Sequence, residues 1–388
     1  MLSTVKNLFG EFMNVMINQL LQGQAVEWQT LGEILVRTKG TKITAGKMKE
    51  LHKNNAPIKI FAGGKTFALV DFDDIPQKDI NHKPSIIVKS RGIIEFEYYD
   101  KPFSHKNEMW AYHSQNPNIN IKFIYYFLKQ NEPYFQKIGS KMQMPQIATP
   151  DTDKFKIPIP PLSVQSQIVQ ILDTFTELTK QLTTELSMRQ KQYQYYRDFL
   201  LSEHELAKVG FEWKTLGKLG IINRGKRVVK SQLTTEGVYP VYQNSLQPLG
   251  YFDKSNVKAN TTFMITAGAA GEIGYSNYAF WSADDCYYFD CPKDVLDDRF
   301  LYHSLKKQQN KIFSQVRKAS IPRLGRNSVE NIKIPIPPLS VQSQIVAILD
   351  TFDTLTQSIS EGLPKEIQLR QTQYEYYREQ LLNFKATI

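Results

Sequence analysis

Apolar residues recur every three or four positions along two segments of the chain, one near its middle and one at its end. The first pattern begins at Val164 and the second at Val341. Such spacing predicts a helix whose apolar face packs against a partner. The seam residues of this pattern are Ile168, Ile171, Phe175, Leu178, Leu182 and Tyr196 in the first segment, and Ile345, Ile348, Phe352, Leu355 and Tyr377 in the second.

The two helical segments are copies of one another. Residues 156–169 return letter for letter as residues 333–346, an offset of 333 − 156 = 177. Each copy starts with Ile-Pro-Ile-Pro-Pro, which is extended, and Ser163 and Ser340 are the expected N-caps. A helix of roughly 40 residues, about 60 Å long, should follow in each copy. Matched seams favour antiparallel pairing of the two helices as a coiled coil.

The second copy is longer than the first. The offset grows to 374 − 193 = 181, so four extra residues lie near residues 362–365. Four residues are close to one helical turn, and we expect them to lengthen the second helix with its seam nearly in line. Pro364 complicates this expectation, because proline inside a helix kinks or breaks it.

Two longer, divergent regions alternate with the repeated segments. They mix β-rich runs, such as residues 85–88 and 262–265, with turns and short helical stretches. The predicted fold class is α+β, with two α/β domains joined and spaced by two long antiparallel helices in a pseudo-two-fold repeat. The predicted parts are an amphipathic N-terminal helix (1–23), a first variable domain (24–155), a helical spacer (156–205), a second variable domain (206–332) and a second spacer (333–388).

Composition and charge narrow the class of protein. The 388 residues carry 48 Lys and Arg against 38 Asp and Glu, and the net charge of +10 allows an anionic partner such as nucleic acid. The sequence has no run of about 18 apolar residues that would span a membrane, and its start makes a poor signal peptide. Two cysteines cannot build a disulfide framework, so we expect a cytoplasmic protein.

Basic and amide residues gather in corresponding loops of the two variable domains. Such side chains reach phosphates and base edges, and Gly40 and Gly225 within the clusters permit close backbone approach. For each residue, a solvated basic surface is the alternative. The candidate DNA-binding residues are Arg37, Lys39, Lys42, Lys141, Gln143 and Gln146 in the first domain, and Arg224, Lys226, Arg227, Arg317, Lys318, Arg323 and Arg326 in the second.

The sequence shows no complete signature of catalysis, metal binding or cofactor binding. Residues 61–66 contain Gly-Lys-Thr without the first glycine of a phosphate-binding loop, and the Gly-rich residues 267–271 lack the dinucleotide fingerprint. Both are interpreted as turns. The six histidines do not cluster. We therefore expect a non-enzymatic chain with no cofactor or metal of its own.

The chain resembles the specificity (S) subunit of a type I DNA restriction–modification enzyme. The resemblance rests on the repeated Pro-Pro-Leu-Ser-Val-Gln-Ser-Gln-Ile-Val, on Glu-Trp-x-Thr-Leu-Gly at the start of each variable domain, and on residues 271–275 and 280–284. It implies two target recognition domains that each read one half of a split site on double-stranded DNA. It also implies that the helical spacers set the gap and that two copies of a DNA adenine methyltransferase subunit dock on them, with the seam residues as candidates for docking.

The same resemblance assigns S-adenosylmethionine, ATP and Mg to partner subunits, among them a restriction subunit that translocates and cleaves DNA, and it involves no membrane. In the first domain, residues 90–95 stand in place of the Gly-rich run of the second domain and differ from it in sequence. The two half-targets should therefore differ. Two alternatives stay open: a coiled-coil scaffold without DNA specificity, and a fused methyltransferase or nuclease. The target sequence and its spacer length do not follow from the chain.

Overall fold

The computed structural model describes residues 26–140, 143–358 and 361–384. The helix predicted over residues 1–23 and the candidate Lys141 lie outside the described residues. The described chain forms two compact units. The first comprises residues up to Gln181 together with those from Gln368, and the second is Leu182–Ile367. Both units combine sheets with helices, which confirms the α+β class.

In the described first half of the chain, eight strands with two short α-helices among them precede three helices, a ninth strand and a long helix. The strands are β1 (Glu27–Thr30), β2 (Val36–Arg37), β3 (Ile58–Phe61), β4 (Phe67–Val70), β5 (Ser85–Lys89), β6 (Glu95–Tyr99), β7 (Phe103–His105), β8 (Trp110–His113) and β9 (Lys156–Ile159). The helices are α1 (Leu31–Ile34), α2 (Ala45–Leu51), α3 (Ile121–Gln130), α4 (Glu132–Gly139), α5 (Thr149–Asp153) and α6 (Leu162–Leu200).

The described second half repeats this order of strands. The strands are β10 (Glu212–Thr215), β11 (Ile222–Arg224), β12 (Tyr239–Tyr242), β13 (Gly250–Phe252), β14 (Thr261–Ile265), β15 (Ile273–Ser276), β16 (Trp281–Ser282), β17 (Cys286–Phe289) and β18 (Lys333–Ile336). The helices are α7 (Glu203–Ala207), α8 (Leu216–Leu219), α9 (Asp298–Lys307), α10 (Gln309–Phe313), α11 (Arg326–Glu330), α12 (Leu339–Gln357) and α13 (Gly362–Leu381).

Each unit builds equivalent sheets. In the first unit a four-stranded sheet has the order β2-β8-β5-β6 and a three-stranded sheet the order β4-β3-β7. The second unit repeats them as β11-β17-β14-β15 and β13-β12-β16. The inner strands β5 and β14 are buried at every position, as expected for strands that are covered on both faces. The two variable domains therefore share one fold although their sequences diverge.

A two-stranded sheet joins the start of each variable domain to the repeated segment that follows it. Trp28 faces Pro158 across β1 and β9, and Trp213 faces Pro335 across β10 and β18. Both strands of a two-stranded sheet are edges, where proline is tolerated. The motifs Glu-Trp-x-Thr and Lys-Ile-Pro-Ile thus recur together because they are the two strands of one sheet.

The first repeated segment forms the continuous helix α6, which is 39 residues long. Its early turns pack within the first unit, where Ile168 is fully buried and Phe175 stacks on Tyr377 with ring centroids 5.0 Å apart. Its late turns pack within the second unit, where Tyr196 stacks on Phe352 at 5.4 Å. The second segment is thus contacted in reverse order, so the pairing is antiparallel, as predicted.

The other seam residues lie at different depths. Ile345 is buried, whereas Ile348 is 43% exposed because Leu349, one position further round the helix, occupies the buried place. The half-buried seam residues are Ile171, Phe175, Leu178, Leu182, Tyr196, Phe352, Leu355 and Tyr377.

The second repeated segment is not one long helix, and here the prediction was wrong. It breaks between α12, which ends at Gln357, and α13, which begins at Gly362. Gly362 has a φ of +78°, a conformation that favours glycine. Pro364 lies in the first turn of α13, where its missing N–H removes no helical hydrogen bond. The four extra residues therefore end one helix and start another.

The predicted N-caps were also wrong. Ser163 lies inside α6, which begins at Leu162, and the carbonyl oxygen of Pro161 accepts the first helical hydrogen bond from the backbone N–H of Val164 at 2.9 Å. Ser340 lies inside α12 in the same way. The carbonyl oxygen of Pro161 accepts the first helical hydrogen bond because the extended segment ends at this proline and the helix begins at the next residue.

Candidate nucleic-acid interface

In the first unit, the loop after β2 packs its backbone against the loop after β7. The backbone N–H of Thr41 donates to the carbonyl oxygen of His105 at 2.8 Å, and a Cβ on Gly40 would lie 2.5 Å from that oxygen. The close approach predicted at Gly40 therefore needs glycine. Beside this contact, Arg37 and Lys39 are exposed along a groove of about 580 Å³.

Two further loops join this site. Arg91 forms a β-bridge with Gln146, and its guanidinium donates through Nε and Nη2 to Gln146 Oε1 at 3.1 and 3.0 Å. Ser90 Oγ donates to the carbonyl oxygen of Glu108 at 3.4 Å, which connects the bridge to the loop after β7. We call residues 37–42, 90–91, 105–108 and 143–146 the first loop cluster. Lys42 and Gln143 are exposed on it.

The second unit repeats the arrangement with different side chains. A Cβ on Gly225 would collide with the carbonyl oxygen of Ala283, and Arg224 Nε donates to the carbonyl oxygen of Asp284 at 3.1 Å. Residues 224–227, 266–268, 282–285 and 317–323 form the second loop cluster. Lys226 and Arg227 are exposed on it.

Two arginines face each other in the last segment of the second loop cluster. Arg317 and Arg323 exchange backbone hydrogen bonds of 2.9 and 3.2 Å, so their side chains leave on the same side of the strand pair. Like charges directly opposite each other destabilise a β pair. Within the residues that the structure describes, no acidic side chain forms an ion pair with either arginine. A bound anion such as phosphate would relieve this repulsion.

The remaining candidates lie beside these loops. Lys318 is exposed next to Arg317. Arg326 begins α11 and donates to Glu330 at 2.7 Å, so an ion pair within α11 already engages its guanidinium. Arg37 has a longer ion pair with Asp153, at 3.7 Å. That any of these residues contacts DNA stays a prediction.

The sequence analysis missed Arg91. The structure pairs it with Gln146, and in the second unit Ala267 takes the equivalent place in a bridge with Arg323. The sequence did offer a signal, because Arg91 stands where the second domain has its Gly-rich turn. We add Arg91 to the first loop cluster as a candidate.

A buried glutamine fixes each variable domain on its repeated helix. Gln165 accepts a hydrogen bond from the backbone N–H of Asn120 at 2.8 Å and donates to the carbonyl oxygens of Asn118 and Pro160. Gln342 makes the three equivalent bonds in the second unit. Both side chains are fully buried. Each amide thereby connects the start of the repeated helix to the loop before α3 or α9.

A repeated aspartate makes a second attachment in each unit. Its partners are Lys122 and Tyr126 for Asp173, and Arg299 and His303 for Asp350, at 2.5–2.7 Å. Burial and the hydrogen bond to Asp173 raise the pKa of Tyr126 well above its ordinary value. Burial lowers the pKa of His303, against the opposing effect of Asp350. One unchanged aspartate thus accepts whichever donors each diverged domain presents.

In the described part of the chain, the metal-ligating side chains are scattered and the thiols are buried. No three His, Cys, Asp or Glu side chains among them are grouped so as to hold a metal ion. Both cysteines are buried, and burial raises the pKa of Cys286 to about 12, so its thiol stays protonated at neutral pH. No helix in the described part is long and apolar enough to cross a membrane.

A duplicated fold with a basic loop cluster on each copy is typical of one class of protein, namely proteins that recognise nucleic acid through two similar units. A family model described as "Type I restriction modification DNA specificity domain" matches residues 25–188 and 208–369. The chain belongs to this family of type I restriction–modification specificity subunits.

Relatives and solved structures agree with this membership. The specificity subunit of a type I restriction enzyme from Escherichia coli is 32% identical over 398 residues, which cover 95% of this chain and 96% of the relative. The crystal structure of an S subunit from M. genitalium has a TM-score of 0.70 at 20% identity, covering 94% of this chain and 98% of that chain. A structure from work on assembly of a type I system has a TM-score of 0.51 at 15% identity, covering 93% and 98%. The two solved structures show a shared fold.

Proposed function

We propose that the chain is the recognition subunit of a type I restriction–modification complex and reads a split DNA target, one half-site for each unit. The observation that carries this proposal is the matched pair of loop clusters, with Arg317 and Arg323 lacking acidic partners in the second. Phosphates would neutralise the basic loops and position the duplex, and loops that differ between the units would read different bases.

Two copies of a methyltransferase subunit would dock on the two repeated segments. Burial accounts for the identity of Gln165 and Ile168 with Gln342 and Ile345. It does not account for residues that are exposed and still identical in both copies, namely Ser163, Ser166, Gln167 and Thr174, with Ser340, Ser343, Gln344 and Thr351. Two like surfaces suit two like partners. Because Ile168 is buried, this exposed face is the better candidate for docking.

Methyl transfer, DNA translocation and cleavage would reside in the methyltransferase and restriction subunits, which would bring S-adenosylmethionine, ATP and Mg. The buried thiols support this division, because neither offers a nucleophile. The chain itself would bind and position DNA in the cytoplasm. A coiled-coil scaffold without DNA specificity is not favoured, since both matches to the family model are DNA specificity domains.

Exchange of a variable domain tests the proposal. Residues 24–155 would be replaced by those of a relative, and the methylated motif would be mapped by sequencing with the methyltransferase subunit present. We expect one half of the motif to change and the other to remain, because each unit has its own sheets and loop cluster. The chain alone should transfer no methyl group. A motif rewritten in both halves would contradict independent reading.

A further inference from the structure

A hairpin loop lies beside each loop cluster and is not part of the predicted basic set. In the first unit residues 62–66 join β3 to β4, and in the second residues 243–249 join β12 to β13. The two loops hold the same place in equivalent sheets but differ in length and in every polar residue.

The first hairpin loop borders the first loop cluster directly. The backbone N–H of Lys106 donates to the carbonyl oxygen of Phe61 at 2.9 Å, and Gly63 and Thr66 line a cavity of about 700 Å³ together with Lys106. A Cβ at Gly63 or Gly64 would meet nothing within 4 Å, so the turn projects from the unit. Lys65 and Thr66 are exposed on it.

The second hairpin loop rests on the Gly-rich turn of the second loop cluster. The backbone N–H of Ala269 donates to the carbonyl oxygen of Asn244 at 2.9 Å, and a Cβ on Gly268 would lie 2.7 Å from that oxygen. Gly268 also donates its N–H to the carbonyl oxygen of Pro322, beside Arg323. The glycine therefore lets the hairpin loop and the arginine segment converge.

Polar side chains of the second hairpin loop remain available. Ser245 Oγ donates to the carbonyl oxygen of Gln247 at 2.9 Å and accepts from its N–H at 3.2 Å, which fixes the turn through the backbone. The side-chain amides of Asn244 and Gln247 are exposed and have no hydrogen-bond partner among the described residues. Asn and Gln are the side chains that pair bidentately with adenine in the major groove.

We propose that the two hairpin loops are the segments that determine base specificity, one for each half-site. Asn244 and Gln247 read adenine in the second half-site, and Lys65 and Thr66 read the first. The basic residues of the loop clusters then hold phosphates, which position the protein without carrying sequence information. This inference rests on the proposed function and names the residues that distinguish one target from another.

The test uses the full chain with its methyltransferase subunit. In the double variant Asn244→Ala, Gln247→Ala, preference at one or two bases of the second half-site should fall roughly 5- to 150-fold per base, with the first half-site unchanged. The double variant Lys65→Ala, Thr66→Ala should give the converse. Arg323→Ala should weaken binding to all duplexes alike and reduce its salt dependence. Asn310→Ala, an exposed amide on α10, is the matched control and should change neither motif nor affinity.

Motif mapping and duplex-binding titrations separate the outcomes. An unchanged motif in both hairpin variants, with normal methylation, would overturn the inference and leave the proposed function intact. Equal loss of binding to every duplex in the Asn244→Ala, Gln247→Ala variant would also overturn it, because the loop would then serve positioning. Absence of any sequence preference in the unaltered complex would contradict the proposed function itself.

Discussion

Gln165 and Gln342 show at the scale of single residues why the repeated segments keep polar side chains at buried positions. A buried amide costs free energy unless its donors and acceptor find partners. Each glutamine has three backbone partners, in the loop before α3 or α9 and in the proline turn before the helix. The amide therefore specifies how the variable domain sits on the helix, which an apolar side chain would not do.

Gln165→Leu should destabilise the first unit by about 2–3 kcal/mol, because it removes the hydrogen bonds of the backbone N–H of Asn120 and of two carbonyl oxygens, of which that to Pro160 is buried. Chemical denaturation of the full chain measures the change. Gln167→Leu, on the exposed face of the same turn, is the control and should shift stability by no more than about 0.5 kcal/mol. Equal effects of the two variants would contradict the role given to the buried amide.

The sequence predicted some residues of the candidate site and missed others for a physical reason. Gly40 and Gly225 could be singled out, because glycine within a polar loop indicates close backbone approach. In both units the loop leaves no space for a side chain at this glycine. Arg91 and Gln165 were missed, because their partners lie 55 and 45 residues away along the chain. Contacts at such separations follow from the fold, which residue type and spacing do not provide.

At the scale of elements, the break between α12 and α13 distinguishes the two repeated segments. The equivalent part of α6 is continuous, so the break arises from the four extra residues, which include Gly362. Apolar spacing predicted the helices because it persists on both sides of the break. It could not predict the break, since an insertion of one helical turn and a two-helix junction leave almost the same periodicity.

Gly362→Ala should destabilise the second unit by about 1–3 kcal/mol, because a side chain is strained in the left-handed region. The added Cβ would also lie 2.5 Å from the carbonyl oxygen of Thr354. Thermal unfolding of the full chain measures the effect. Gly46→Ala, in α2 with nothing within 4 Å, is the matched control and should be neutral or stabilising by about 0.4–1 kcal/mol. A neutral Gly362→Ala would show that the junction does not depend on its φ.

At the scale of the whole molecule, α6 is a continuous helix that carries the chain from the first unit into the second. If helix length sets the gap between half-sites, four residues inserted after Leu182 add about 6 Å, or roughly two base pairs at about 3.4 Å each. The seam turns by only about 40° at 100° per residue, which a broad apolar stripe tolerates. The second segment needs no matching insertion, because it is already divided into the two helices α12 and α13.

Sequencing of the methylated motif measures the spacer in this variant, and both half-sites should keep their bases while the gap grows by about two base pairs. A two-residue insertion at the same position is the control. It turns the seam by about 200° and exposes the apolar face, so we expect it to abolish assembly. An unchanged spacer with full methylation in the four-residue variant would show that α6 does not set the gap, and the spacing would then have to come from the methyltransferase subunits.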